Sequence, residues 1–200
     1  MKAEWVAPNR TALVLIDCQV DFGAPEGEMA KRGADIGPAQ AALAKVQQLV
    51  DAARGTGVPV IFVRYVPAED SAVKREAKAR HGDDEPELCV PGTHGAEFVG
   101  PQPLAGEQIV SKPLFSAFAG TGLGEQLHVR GIDTVVLAGL TTECCVASSA
   151  WDALERDFHI FVARDACAAY EPDLHSGALK ALNLSGAILG NAREFSQVWK

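Results

Sequence analysis

The run at residues 134–154, TVVLAGLTTECCVASSAWDAL, constrains the fold more than any other part of the chain. Its first six residues are β-branched or apolar and end in glycine, the pattern of a strand buried on both faces. A helix follows at once: Thr141 or Thr142 can cap it, Glu143 suits its positive first turn, and Val146, Ala150 and Leu154 fall on one face at helical spacing. A strand of this kind running straight into a helix belongs to a parallel sheet covered on both sides. Cys144 and Cys145 then lie in the first helical turn, where free backbone N–H groups and the helix dipole favour a thiolate.

The same alternation runs through the chain. Apolar patterning predicts strands over 12–16, 58–64, 108–111, 134–138, 159–163 and 186–189. Helices are predicted over 36–54, 71–80, 122–130, 142–156 and 173–182, with Gly55-Thr56-Gly57 stopping the first of them. The glycine-rich stretch Gly120 to Gly124 lacks phosphate-loop spacing and is taken as a helix start. Alternating strands and helices predict an α/β fold, a three-layer, doubly wound, mainly parallel six-stranded sheet of Rossmann-like type. Two hundred residues, 48% of them apolar, suit a single domain over 1–200.

One irregular excursion, about 65–107, holds a charged helix-like piece, SAVKREAKAR, and an acidic loop, HGDDEPELCVPGTHGAEF. A connection this long serves as a lid, a binding loop or an oligomer contact, or its charges mark a solvated surface excursion; its apolar Leu88-Cys89-Val90 must pack on something. No apolar run approaches a membrane span, and the N-terminal residues have no signal-peptide layout, so a cytoplasmic location is expected. Five cysteines without a C-x-x-C pair predict free thiols. A net charge of −8 argues against nucleic acid or an anionic membrane as partner and leaves a small-molecule substrate or another protein.

In a doubly wound sheet, ligands bind beyond the carboxyl ends of the strands. Asp17 ends ALVLI, Lys112 ends IVSK and Cys145 follows VVLAG by one helical turn. An acid, a base and a nucleophile reaching one rim suit covalent catalysis. Each has a plainer reading: a turn aspartate, a solvated lysine, a thiol acting as a small buried hydrophobe. Cys144 competes with Cys145 for the nucleophile's role, and a dyad of Cys145 with His175 is a further alternative. Trp151, on the helix behind Cys145, reads as core or subunit interface.

Three motifs carry a resemblance: Ile16-Asp17-Cys18-Gln19-Val20-Asp21-Phe22, Lys112-Pro113-Leu114-Phe115-Ser116-Ala117-Phe118 and Gly139-Leu140-Thr141-Thr142-Glu143-Cys144-Cys145-Val146. In this order they resemble the isochorismatase-like cysteine hydrolases, among them nicotinamidases, N-carbamoylsarcosine amidase and ureidoacrylate and biuret hydrolases. The resemblance covers nearly the whole chain. It implies an isochorismatase-like fold with Asp17, Lys112 and Cys145 as catalytic residues and Cys144 at a variable position. It also implies a cis peptide between Leu140 and Thr141, an oxyanion hole from the backbone N–H groups of Thr141 and Cys145, and a homo-oligomer, dimer or tetramer. Phe22, Phe115 and Phe118 lie inside the motifs as candidates for the pocket or the core, and Arg64, at a strand end, is a candidate partner for a substrate carboxylate or for a surface acid.

The reaction implied is cysteine-dependent hydrolysis of a C–N bond in a small carboxamide, carbamoyl or ureido compound, through a thioester and with release of ammonia. The alternatives are isochorismatase-type vinyl-ether hydrolysis, disfavoured because such members lack the cysteine, and a nonenzymatic α/β binding protein. Nicotinamidases of this family hold a metal beside the nucleophile. The matching stretch here reads Arg64-Tyr65-Val66-Pro67-Ala68-Glu69, and Leu88 precedes Cys89 where a histidine would stand. No metal and no cofactor are therefore expected, and His81 and His94 read as surface residues.

Overall fold

The computed structural model describes residues 1–82 and 86–200; Asp83, Asp84 and Glu85 of the acidic loop lie outside the described residues, as does the side chain of His81. In chain order the elements are β1 (Thr11–Ile16), α1 (Val20–Gly23), α2 (Glu28–Lys31), α3 (Gly37–Thr56), β2 (Val60–Tyr65), α4 (Ala72–His81) and β3 (Gln108–Lys112). Then come α5 (Leu123–Val129), β4 (Thr134–Leu140), a π-helical turn (Thr142–Val146), α6 (Ala147–Glu155), β5 (His159–Ala168), α7 (Pro172–Leu184), β6 (Ile188–Gly190) and α8 (Ala192–Val198).

The strands form one sheet in the order β3-β2-β1-β4-β5-β6, and every pairing is parallel. Strand β1 is buried along its whole length, and the alternation of its side chains feeds two cores. Ala12, Val14 and Ile16 join Val135 and Leu137 against Leu123, Leu127, Ala147 and Ala150 of α5 and α6. Leu13 and Leu15 join Phe62, Val136 and Phe161 against Leu43, Val46, Val50 and Phe195 of α3 and α8. The chain is thus three layers, with the sheet in the middle.

The order reverses between β1 and β4, so their carboxyl ends open the crevice where such sheets bind ligands. Here β1 and β4 approach closely. A Cβ added to Gly139, whose φ is 119°, would stand 2.1 Å from the carbonyl oxygen of Ile16, which only glycine permits. The β4–β5 register shifts between Leu137 and Gly139, and β5 continues to Ala168, beyond the strand expected over 159–163. Arg164 and Asp165 interrupt the apolar run there, which hid the extension.

Local chemistry accounts for the helix ends. Pro38 lies in the first turn of α3, and Gly57 closes it in the left-handed conformation, φ 76°. Ser71 caps α4 by accepting from Lys74 N–H at 3.1 Å. Asn191 and Glu194 form a reciprocal capping box on α8, a signal present in the sequence although the helix is missing from the expected elements. The four-residue α1 and α2 are too short for periodicity to reveal.

Candidate active site

Asp17 follows β1 with a φ of 47°, a left-handed conformation that aspartate tolerates better than most residues. Its N–H donates to Val63 O at 3.0 Å and its carbonyl accepts from Gln19 N–H at 2.8 Å, so the backbone holds the carboxylate at the crevice. Lys112 ends β3, two strands away, and its Cα partner in β2 is Tyr65. With strands about 4.8 Å apart, only a long side chain crosses β2 to reach the end of β1. Lys112 does so: Nζ lies 2.6 Å from Asp17 Oδ2 and donates to Leu114 O at 2.9 Å. Both residues are buried, 0% and 1% exposed, so water screens the pair little. The ammonium also stands 5.5 Å from the centre of the Tyr65 ring.

The thiol pair comes from the other side of the switch point. The peptide between Leu140 and Thr141 is cis. The Thr141 carbonyl accepts from the N–H groups of Cys144, at 3.2 Å, and Val146, at 3.1 Å, passing over that of Cys145. Ser149, fully buried, locks the turn: its hydroxyl donates to Cys145 O at 2.6 Å and accepts from Ala117 N–H at 2.9 Å. The helix that follows Cys145 is thereby tied to the segment that follows Lys112.

The three groups shape one another's ionisation. Burial pushes the Asp17 carboxyl up, opposed by the Lys112 charge. Burial pulls Lys112 down, but Asp17 and Cys145 outweigh it and leave the ammonium favoured. The Cys145 thiol is pushed up by its hydrogen bond with Cys144, by burial and by Asp17, against the pull of Lys112. The same hydrogen bond holds the Cys144 thiol down. This departs from the thiolate expected at a helix start. The hydrogen bond with Cys144, burial and the Asp17 charge favour the protonated Cys145 thiol over the thiolate, against the pull of Lys112.

Asp17, Cys144 and Cys145 face a cavity of about 500 Å³, which Lys112 braces from below through Asp17. Apolar walls come from Phe22, Tyr65, Leu114, Phe115, Leu140 and Tyr170. Another wall is the 65–107 excursion, through Val73, Lys74, Ala77 and Lys78 of α4 and through Pro86, Glu87 and Leu88. Arg32 also lines it, hydrogen-bonded to Glu28 and to the Pro86 carbonyl, and Lys74 pairs with Glu87 at 2.8 Å.

Two pocket expectations need correction. Arg64 is exposed, donates from Nε to Ser111 Oγ at 2.9 Å and does not line the cavity. Neighbours along a strand face opposite sides, and here it is Tyr65 that faces the cavity while Arg64 faces away with its register partner Ser111. Phe118 is 1% exposed in the core, 5.7 Å from the Phe158 ring, because the chain after β3 turns inward to meet α5 and α6. Phe22 and Phe115 line the cavity. His175 pairs through Nδ1 with Thr142 Oγ1 at 2.8 Å and does not line it. Trp151 is 42% exposed, on the solvent side of α6.

Two supporting residues stand inside the first motif. Gln19, fully buried, donates to Tyr65 O and Ala96 O and accepts from Tyr65 N–H, tying the end of β2 to the excursion. Asp21 accepts from Glu28 N–H at 3.1 Å and from Cys89 N–H at 2.7 Å, so both its oxygens are committed to backbone. A side chain at Gly95 would strike that carboxylate, its Cβ falling 2.3 Å from either oxygen. Cys89 itself is buried.

A bound metal would need several donors converging on one point. Among the described residues no group of three or more histidine, cysteine, aspartate or glutamate side chains does so. His94 is an exposed residue paired with Glu97 at 2.8 Å and Glu26 at 3.5 Å, and Leu88 offers the cavity a hydrocarbon. The described residues do not fit a metal. Among the described residues, no helix is long and apolar enough to cross a membrane.

Residues 11–194 match the isochorismatase domain family. The chain is 33% identical over 180 residues to a maleamate amidohydrolase of Pseudomonas putida, covering 86% of this chain and 78% of that one. It is 29% identical over 189 residues to the ureidoacrylate amidohydrolase RutB of Methylobacterium radiotolerans, covering 86% and 72%. The crystal structure of an isochorismatase family protein from Desulfovibrio vulgaris superposes with a TM-score of 0.83 at 28% identity, covering 95% of this chain and 98% of that one. With the match spanning every strand and both sides of the crevice, the chain belongs to the isochorismatase family of hydrolases.

Proposed function

We propose that this chain is a cysteine-dependent amidohydrolase that cleaves the C–N bond of a small carboxamide, carbamoyl or ureido compound through a thioester on Cys145. The observation that carries the reading is the buried Asp17–Lys112 pair, 2.6 Å apart, opening on the same cavity as Cys145. Relatives named for maleamate and ureidoacrylate hydrolysis support the substrate class.

The chemistry follows from the ionisation of the site. Asp17 takes the proton of the Cys145 thiol as sulfur attacks the carbonyl carbon, and Lys112 keeps Asp17 ionised until then. The oxygen of the tetrahedral intermediate is held by the backbone N–H groups of Thr141 and Cys145 at the helix start. Asp17 passes its proton to the departing nitrogen, the C–N bond breaks and ammonia leaves. Asp17 next deprotonates a water that attacks the thioester; the C–S bond breaks and the proton returns to sulfur. The product is a carboxylate or a carbamate.

The test is a panel of amides, ureas and carbamoyl amino acids assayed for ammonia, with mass spectrometry of the protein quenched during turnover. Ammonia release with an acyl or carbamoyl adduct on the peptide holding Cys145 is expected. Turnover that survives Cys145→Ala would overturn the reading.

A further inference from the structure

The polar groups that open on the cavity from the sheet are few: Asp17 follows β1, and Glu143, Cys144 and Cys145 follow β4. The walls from α2, α4, the stretch before Cys89 and the chain after β3 are largely hydrocarbon, through Met29, Val73, Ala77, Leu88, Leu114 and Phe115. The charged members of these walls have partners in the protein. Lys74 pairs with Glu87 at 2.8 Å, and Arg32 binds Glu28 and the Pro86 carbonyl. Lys78 is exposed to solvent.

Size and packing both point to an apolar occupant. A cavity of about 150 Å³ lined by leucine, isoleucine and phenylalanine takes a benzene ring. This one has about 500 Å³, so an amide or ureido group fills only a part of it. Helix α4 has no buried residue over 72–80; its half-buried side chains are Val73, Lys74 and Ala77, and all three line the cavity. Val73 and Ala77, one turn apart, therefore turn the apolar side of α4 to the cavity instead of to a core. Leu114 and Phe115 are 42% and 41% exposed, which leaves two more large apolar side chains open to water at the same place. A hydrocarbon covering these side chains removes them from water, whereas a charged chain would have to shed its own hydration there.

We propose that the substrate carries an apolar substituent, an alkyl chain or an aromatic ring, beside the reacting carbonyl, and that the cavity selects it over short charged acyl groups such as that of maleamate. This rests on the amidohydrolase reading above. The substituent packs against α4, Leu88, Leu114 and Phe115, and supplies the packing that α4 lacks.

Homologous series isolate the effect, because lengthening an alkyl chain far from the carbonyl leaves the reactivity of the C–N bond unchanged. Ammonia release gives kcat/KM for propanamide, pentanamide and heptanamide, for the matching alkylureas, and for maleamate and 3-ureidopropionate. In whichever series turns over, kcat/KM should rise by up to about fourfold for each added methylene, the effect of taking one CH₂ out of water. Ala77→Phe fills the space from a helix that has no buried residue over 72–80, so the fold should be kept while the rise flattens or reverses. A flat or falling series in the wild type, a rise that Ala77→Phe leaves unchanged, or faster turnover of maleamate or 3-ureidopropionate than of every longer neutral compound would overturn the inference and leave the amidohydrolase reading intact. Ammonia from none of these compounds would overturn both.

Discussion

On the mechanism proposed above, Asp17 is a base in a site that disfavours its charge, and this sets two expectations at the scale of single residues. Burial raises its pKa, so the carboxylate that accepts the Cys145 proton is lost on acidification earlier than an ordinary one. Kcat/KM should therefore fall as pH drops through a value above the usual carboxylate range, about 3.9 for aspartate. A pH–rate profile whose acid limb lies at or below that figure would remove Asp17 as the base. Substitution provides the second expectation. Cys145→Ala, Asp17→Asn and Lys112→Ala should each remove nearly all turnover, on the order of 10²- to 10⁴-fold for the base alone, while Cys144→Ala keeps most of it. The hydrogen bond between the two thiols sets their ionisations against each other, so removing Cys144 should make Cys145 easier to ionise. If Cys144→Ala were inactive and folded while Cys145→Ala stayed active, the nucleophile would be Cys144. That Asp17, Lys112 and Cys145 meet at one crevice was legible in the sequence, because strand ends mark the rim of a parallel sheet. Arg64 and Phe118 were misread because belonging to a motif or a strand end does not say which way a side chain points; strand parity and the inward turn after β3 decide that. Glu143 was read only as a charge suited to a helix start, since nothing in a sequence reveals that an acceptor will be buried without a donor.

At the scale of elements, the long helix and the buried strands were readable from periodicity, and the connections between them were not. The excursion after β2 is anchored by contacts with no sequence signature. Arg54 near the end of α3 donates to both oxygens of Glu107, at 2.8 Å each, and to Gln102 O at 2.8 Å. Glu107 also accepts from Leu104 N–H at 2.7 Å, which fixes the chain just before β3 and hence the approach of Lys112. The Arg54 hydrogen bond holds the Glu107 carboxyl below its ordinary value. A depressed carboxylate stabilises the fold above its unfolded pKa, about 4.3 for glutamate, and that contribution disappears as pH falls through the lower, folded value. Glu107→Gln should accordingly cost about 1 kcal/mol at pH 7, the upper end for a pair partly open to solvent, and progressively less on acidification below pH 4. Urea denaturation of both proteins at pH 7 and near pH 3 measures it. An unchanged difference between the two pH values would show that shape, not charge, makes the contact.

The whole molecule brings these scales together at one crevice. Six parallel strands place the ends of β1 and β4 side by side, β3 sends a lysine across β2, and the excursion walls what the sheet leaves open. This architecture was legible as an alternation of buried strands and helices; the depth and lining of the cavity were not, because they depend on how residues 65–107 fold back. The lining bears on metal use. Leu88 has no lone pair to offer, Asp21 has committed both oxygens to backbone donors, His175 is paired with Thr142, and His94 is on the surface between Glu97 and Glu26. No described set of side chains could converge on a cation without breaking contacts that hold the excursion in place. The enzyme should therefore keep its full activity on carbamoyl or ureido compounds after dialysis against a strong chelator. It should also be a poor nicotinamidase, since the described residues offer no ligand set for a metal that would orient a pyridine nitrogen. Elemental analysis before and after dialysis, with rates on nicotinamide and on a ureido acid, reads both expectations together. Stoichiometric zinc or iron whose removal abolishes nicotinamide hydrolysis would mean that ligands beyond the described set reach the cavity, and the metal-free reading would fall.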